Sequence, residues 1–198
     1  MTHGIDAGLL LIRVVLGVTV FLHGYNKFFG GGRIPGTARW FASMGMRPNG
    51  TIHAVMAATT EVVAGLGFAA GLLTPFDAAG ITALMIVAFW TVHRKDGFFI
   101  VKGGYEYNLI LAVVAIGVSA IGPGTYSLDN ALKLTFATST PKVAVAISVG
   151  LGVISGVGLL AACYRPPKPE PEPTSEPASA ASGPEPEAPD VAEPSSGL

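Results

Sequence analysis

Cysteine is almost missing from this chain. The single one, Cys163, excludes an internal disulfide and any C-x-x-C relay. Charge is scarce as well: 13% of residues are Asp, Glu, Lys or Arg, about half the usual share in a soluble domain. The formal net charge is −1, so there is no basic footprint for nucleic acid, and no partner of that kind is expected. No metal site is expected either. The first residues lack the basic segment of a cleavable signal, and Arg13 interrupts the apolar run behind them, so the first span is expected to be retained.

Apolar residues are what the chain has in quantity. Half of it is hydrophobic, and the mean hydropathy is +0.54 despite a very polar C-terminal tail, which places the protein in a lipid bilayer. A bilayer crossing needs roughly 20 apolar residues. Five runs approach that length: Ala7 to Phe29, Ile52 to Leu73, Ala78 to Val92, Tyr105 to Ile121 and Val143 to Cys163. The predicted fold is therefore all-α, a polytopic membrane helical bundle.

Between the runs lie turn and surface signals. Gly30 to Gly36 reads as a flexible loop, after which Thr37 can cap an interfacial helix over residues 37–44, anchored by Trp40, Phe41, Arg39 and Arg47. Thr74-Pro75-Phe76-Asp77 reads as a tight turn with Asp77 capping the next helix. Gly122-Pro123-Gly124 stops the fourth span, and Ser127 opens a second surface helix over 128–138. Two G-x-x-x-G patterns, Gly67 to Gly71 and Gly152 to Gly156, permit close helix approach; packing within the bundle is the simpler reading, and an oligomer stays open.

Residues 166–198 carry seven of the thirteen acidic residues and one base, Lys168, in a Pro-, Ser- and Ala-rich stretch with no apolar period. Such a tail cannot bury a core and is expected to be disordered. The remaining chain has eleven bases against six acids, mostly on one side of the five-span topology. By the positive-inside rule the N-terminus is expected outside a plasma (inner) membrane and the tail in the cytoplasm.

Some charges fall inside the spans. On the first helix, Arg13, Gly17, Val20, Gly24 and Lys27 form one stripe, with His23 beside it and Leu10, Leu11, Val14, Val18 and Phe21 on the opposite, lipid-suited face. Glu61 lies mid-span in the second run. Helical rise places His23, Lys27, Glu61, His93, Glu106 and Asn108 toward the same membrane side, a candidate binding pocket. Intramembrane charge is costly and marks function by default, although Arg13 and Glu61 can equally form a structural or proton-relay pair. Simpler accounts exist for others: Lys27 snorkelling to the interface, His93 as a basic flank, Glu106 favouring a helix N-terminus.

The same residues resemble the DoxX family of small bacterial membrane proteins. The likeness runs through Arg13-Val14-Val15-Leu16-Gly17, His23-Gly24-Tyr25-Asn26-Lys27, Trp40-Phe41, Glu61, His93, Tyr105-Glu106-Tyr107-Asn108 and Gly122-Pro123-Gly124 with Tyr126 to Asp129. It implies a four-helix membrane domain, here over 1–141, linked to thiol, sulfur and oxygen-radical redox chemistry. A fifth transmembrane helix over 142–165 and the tail over 166–198 depart from the family pattern.

Several functions fit. In one, the chain is the membrane subunit of a quinone-linked oxidoreductase complex: His23, Lys27 and His93 donate to quinone oxygens while Glu61 or Glu106 relays protons, and electrons arrive from soluble or membrane redox proteins. In another, a non-catalytic anchor recruits soluble redox enzymes through its tail. A small carrier is a third, and a haem between His23 and His93 is the weakest cofactor assignment.

Overall fold

The computed structural model describes residues 2–134 and 140–167. The first apolar run folds as α1 (Thr2–Phe29), which the Gly30-Gly31-Gly32 stretch ends. α2 (Arg33–Ser43) begins four residues before the expected Thr37 cap. Thr37 is already inside the helix, where its hydroxyl donates to the Arg33 carbonyl, one of the two uses this side chain has near a helix start. α3 (Gly50–Ala70) is capped by Asn49, whose side chain accepts from the Thr51 amide. It stops at Gly71, in the left-handed region at φ 66°, with the Leu72 amide donating to the Gly67 carbonyl.

The following turn differs from the expected one. It occupies Gly71 to Leu73, and α4 (Thr74–Ala88) starts at once, so Asp77 lies in the first helical turn and caps nothing. The cap comes from 55 residues away. The Asp129 carboxylate accepts from the Leu73 amide at 2.7 Å, the Thr74 amide at 3.0 Å and the Thr74 hydroxyl at 2.7 Å. α4 widens into a π turn over Phe89–His93 and tightens over Arg94–Asp96, so its apolar stretch reaches 23 residues, Thr74–Asp96.

α5 (Glu106–Ile121) has 16 residues and ends at Gly122. In the described part of the expected surface helix over 128–138, residues 128–134, one turn forms, α6 (Leu128–Ala131); residues 135–139 lie outside the described part. The final run is one helical stretch, α7 (Pro141–Val145) passing through a π segment (Ala146–Leu151) into α8 (Gly152–Cys163). Thr140 caps it, its hydroxyl accepting from the Val143 amide.

Four stretches are long and apolar enough to cross a membrane: Gly4–Phe29, Gly50–Ala70, Thr74–Asp96 and Pro141–Cys163; α5 is apolar but shorter. The core draws on four helices, with Leu9, Leu16 and Val20 from α1, Ala64 and Phe68 from α3, Ala78 and Ile81 from α4, and Leu111, Ala115 and Val118 from α5. The molecule is thus an all-α membrane bundle, α1 packing on α3, α3 on α4 and α4 on α5, with α8 laid along α4. At the end where α1 stops, the fifth stretch is tied to the α2–α3 link, the Arg47 amide donating to the Cys163 carbonyl and the Arg165 amide to the Gly45 carbonyl. Among the described residues there is no β-strand. The outer surface is greasy: Leu11, Val15, Val63, Val113, Ile121 and Ile154 are all more than half exposed, a surface that suits lipid rather than water.

The antiparallel α1–α3 contact sets the site. A Cβ on Gly17 would lie 2.5 Å from the Gly65 carbonyl, one on Gly65 2.5 Å from the Phe21 amide, and one on Gly24 2.7 Å from the Ala58 carbonyl. Only glycine lets the two backbones approach this closely.

Candidate functional site

Side chains on a helix tilt toward its N-terminus. α1 and α3 run in opposite directions, so a residue near the end of α1 points back into the bundle while its neighbour on α3 points down to meet it. Lys27 and Glu61 obey this geometry. Lys27 Nζ donates to both carboxylate oxygens of Glu61 at 2.6 Å, and the two side chains are 17% and 11% exposed. Lys27 therefore turns inward rather than snorkelling to the surface, and Gly24 makes the room, since a Cβ there would lie 2.9 Å from the Glu61 Cβ.

One turn away on α1, His23 is exposed on the flank of the bundle and its ring lies 6.2 Å from that of Tyr107 on α5. Tyr107 is half-buried and packs against the core. The Lys27 end thus combines an ammonium, a carboxylate, an imidazole and a phenol along α1, α3 and α5, with its imidazole edge open to the lipid side. Asn108 follows Tyr107 and faces α4, its amide NH₂ 3.7 Å from the Met85 sulfur. Its buried carbonyl oxygen has no partner among the described residues.

His93 and Glu106 are placed differently. His93 Nδ1 is 2.6 Å from the Gly103 carbonyl, and Glu106 accepts from the Ile100 amide at 3.1 Å. Both hold the α4–α5 loop, and the contacts that join Lys27 to Glu61 do not extend to them. His23 and His93 likewise have different neighbours, Tyr107 for one and the loop carbonyl for the other.

Arg13 and Glu61 are not paired with each other. Arg13 lies level with Gly71, where a Cβ would overlap its guanidinium, while Glu61 is ten residues earlier on α3, about 15 Å along the helix. Arg13 is fully buried and donates to the Tyr126 carbonyl, with Asp129 the carboxylate in electrostatic reach. Asp77 sits against Gly67, one turn from Gly71, with Asp129 again the neighbouring charge. The Gly67–Gly71 pattern therefore seats a buried arginine and a buried aspartate at the end of the bundle opposite Lys27. Sequence reasoning missed Asp77, Asp129 and Tyr107 as polar partners. An acid in the first turn of a helix reads as a cap, and the remote contact of Asp129 leaves no local trace; Tyr107 sits within the Tyr-Glu-Tyr-Asn string and offered the only direct signal.

Known proteins resemble the chain over most of this architecture. The DoxX family matches residues 8–94, which hold Arg13, His23, Lys27, Glu61 and His93. A Bacillus subtilis (strain 168) protein described as "Putative oxidoreductase CatD" is 30% identical over 129 residues, 65% of this chain and 90% of that one. A Haemophilus influenzae (strain ATCC 51907 / DSM 11121 / KW20 / Rd) protein, described only as an "Uncharacterized protein", is 30% identical over 147 residues, 70% of this chain and 93% of the other. No solved structure gives a significant match. With the membrane bundle, the matched segment and relatives covered nearly end to end all in agreement, the chain belongs to the DoxX family.

Proposed function

We propose that the protein is a membrane subunit of a redox system handling thiol, sulfur or oxygen-radical chemistry, and that a quinone head group binds at the Lys27 end. The observation that carries this reading is the Lys27–Glu61 pair inside the span, flanked by His23 and Tyr107 where α1 meets α5. A quinone accepts two electrons and two protons to become a quinol. Lys27 Nζ, the His23 ring and the Tyr107 hydroxyl are donors suited to its carbonyl oxygens, and Glu61 can pass a proton along the Lys27 contact. Cys163, a lone thiol at the end of α8, cannot form a dithiol relay, and in this reading the electrons come from a partner redox protein. The oxidoreductase description of the Bacillus relative agrees with this assignment.

Orientation follows from charge. Among the described residues, the Lys27 end carries Lys27, Arg33, Arg39, Arg47, Arg94, Lys95, Lys102 and Arg165, and the opposite end Lys133 and Lys142 besides the buried Arg13. The positive-inside rule puts the first end in the cytoplasm of a cell with this protein in its plasma membrane.

The test is extraction of small molecules from protein purified in mild detergent, followed by mass spectrometry. Quinone should be retained by the unaltered chain and lost from His23→Ala and Glu61→Gln. Equal quinone in all three overturns the site. The anchor reading rests on the acidic tail instead, and is favoured if soluble redox proteins co-purify with His23→Ala and Glu61→Gln yet disappear when residues 166–198 are removed.

A further inference from the structure

The α4–α5 loop is too apolar for a link in water. Phe98, Phe99, Ile100 and Val101 follow one another and are 41, 60, 48 and 89% exposed, with Arg94, Lys95 and Lys102 at the margins. The helices it joins are unequal. The 23 residues of Thr74–Asp96 extend about 34 Å, enough for a hydrocarbon core of about 30 Å, whereas the 16 residues of α5 reach only about 24 Å. The chain entering α5 must therefore supply several ångströms of the crossing from loop rather than helix.

A loop at that depth has a specific requirement: without water, its backbone polar groups need partners within the protein. This loop meets much of it by folding back on itself. The amides of Lys102 and Gly104 donate to the Phe99 carbonyl, Gly103 to Ile100, Tyr105 to Gly97 and Glu106 to Phe98. Two side chains add to these bonds, Glu106 accepting from the Ile100 amide and His93 Nδ1 lying 2.6 Å from the Gly103 carbonyl. Phe98 is further fixed edge-on to Tyr105, and Tyr105 edge-on to Phe89. Gly104 allows the fold-back, since a Cβ there would lie 2.3 Å from the Gly97 carbonyl.

We infer that residues 97–104 form a rigid re-entrant wedge in the membrane, Phe99, Ile100 and Val101 seated at the headgroup–acyl boundary of an anionic leaflet and Arg94, Lys95 and Lys102 on its phosphates. Arg94 is already oriented for this, its guanidinium 4.2 Å above the Trp90 ring, an aromatic of the kind that settles at the interface. His93 and Glu106 then act as positioning residues that satisfy the wedge backbone. The inference does not depend on the quinone assignment.

The experiment uses the full chain with Cys163→Ala, reconstituted into vesicles containing phosphatidylglycerol, with a nitroxide on Val101→Cys. References are Val113→Cys on the exposed apolar face of α5 and Arg39→Cys on the exposed side of α2. Electron paramagnetic resonance should show the label at 101 broadened by oxygen, as at 113, with loss of the broadening by a water-soluble nickel chelate seen at 39. Glu106→Ala should restore the chelate effect at 101, while Glu106→Gln, which keeps an acceptor, should not. Chelate access at 101 equal to that at 39 in the unaltered loop overturns the wedge and identifies a water-facing surface for a soluble partner. Val101 is almost free of contacts, so the labelled chain folds as the parent does.

Discussion

A lysine and a glutamate facing each other inside a span constrain one another strongly. Removing one partner leaves the other as an uncompensated buried charge, at a cost of about 3–5 kcal/mol, whereas replacing both with apolar residues of similar volume is close to neutral. Lys27→Met should therefore destabilise the protein by roughly 3 kcal/mol, because Glu61 is 11% exposed and has Lys27 as its ion-pair partner. Lys27→Met with Glu61→Met should recover most of that loss. Thermal unfolding in detergent checks stability, and quinone content checks function. A structural clamp predicts a double variant normal in both respects; the proposed site predicts one that is stable and empty.

At the scale of elements, glycine decides which helices meet. Gly65→Ala places a methyl 2.5 Å from the Phe21 amide and 2.7 Å from the Gly17 carbonyl, backbone atoms that cannot rotate away. α1 and α3 must separate, at an overpacking cost of about 1–3 kcal/mol. Gly117→Ala on α5 meets nothing within 4 Å and should instead stabilise by about 0.5–1 kcal/mol through helix propensity. Opposite shifts in the melting temperature of the two variants check the α1–α3 contact, because both add the same methyl to an apolar helix. The membrane helices were legible in the sequence, since length and apolar content express themselves locally. Arg13, Gly17, Val20, Gly24 and Lys27 were legible as the inward stripe for the same reason. The partner of Glu61 was less accessible, because counting depth from helix ends ignores the tilt of side chains on antiparallel neighbours. The cap on α4 was out of reach: no pattern near Thr74 signals an acceptor on a segment 55 residues later. His93 and Glu106 shared the depth of the pocket residues, and only the folded loop reveals the backbone groups that they satisfy.

For the molecule as a whole, the two ends of the bundle differ in charge more than in anything else. Eight bases belong to links and helix termini at the Lys27 end, against Lys133 and Lys142 at the other among the described residues. A bias of this size survives single changes: losing Lys95 leaves Arg33, Arg39, Arg47, Arg94, Lys102 and Arg165 in place beside Lys27, and losing Lys142 steepens the asymmetry. Cysteines can therefore report on orientation without altering it. In a Cys163→Ala background, Lys142→Cys should react with a membrane-impermeant maleimide in intact cells, whereas Lys95→Cys should react only after the cells are opened. Both side chains are exposed, so the difference reads the side of the membrane rather than burial. The reverse pattern would put the Lys27–Glu61 pair near the outer leaflet, and protons taken up by a bound quinone would then come from outside the cell. Sidedness thus decides which compartment supplies protons to the proposed site, and which compartment must hold the redox partner that delivers its electrons.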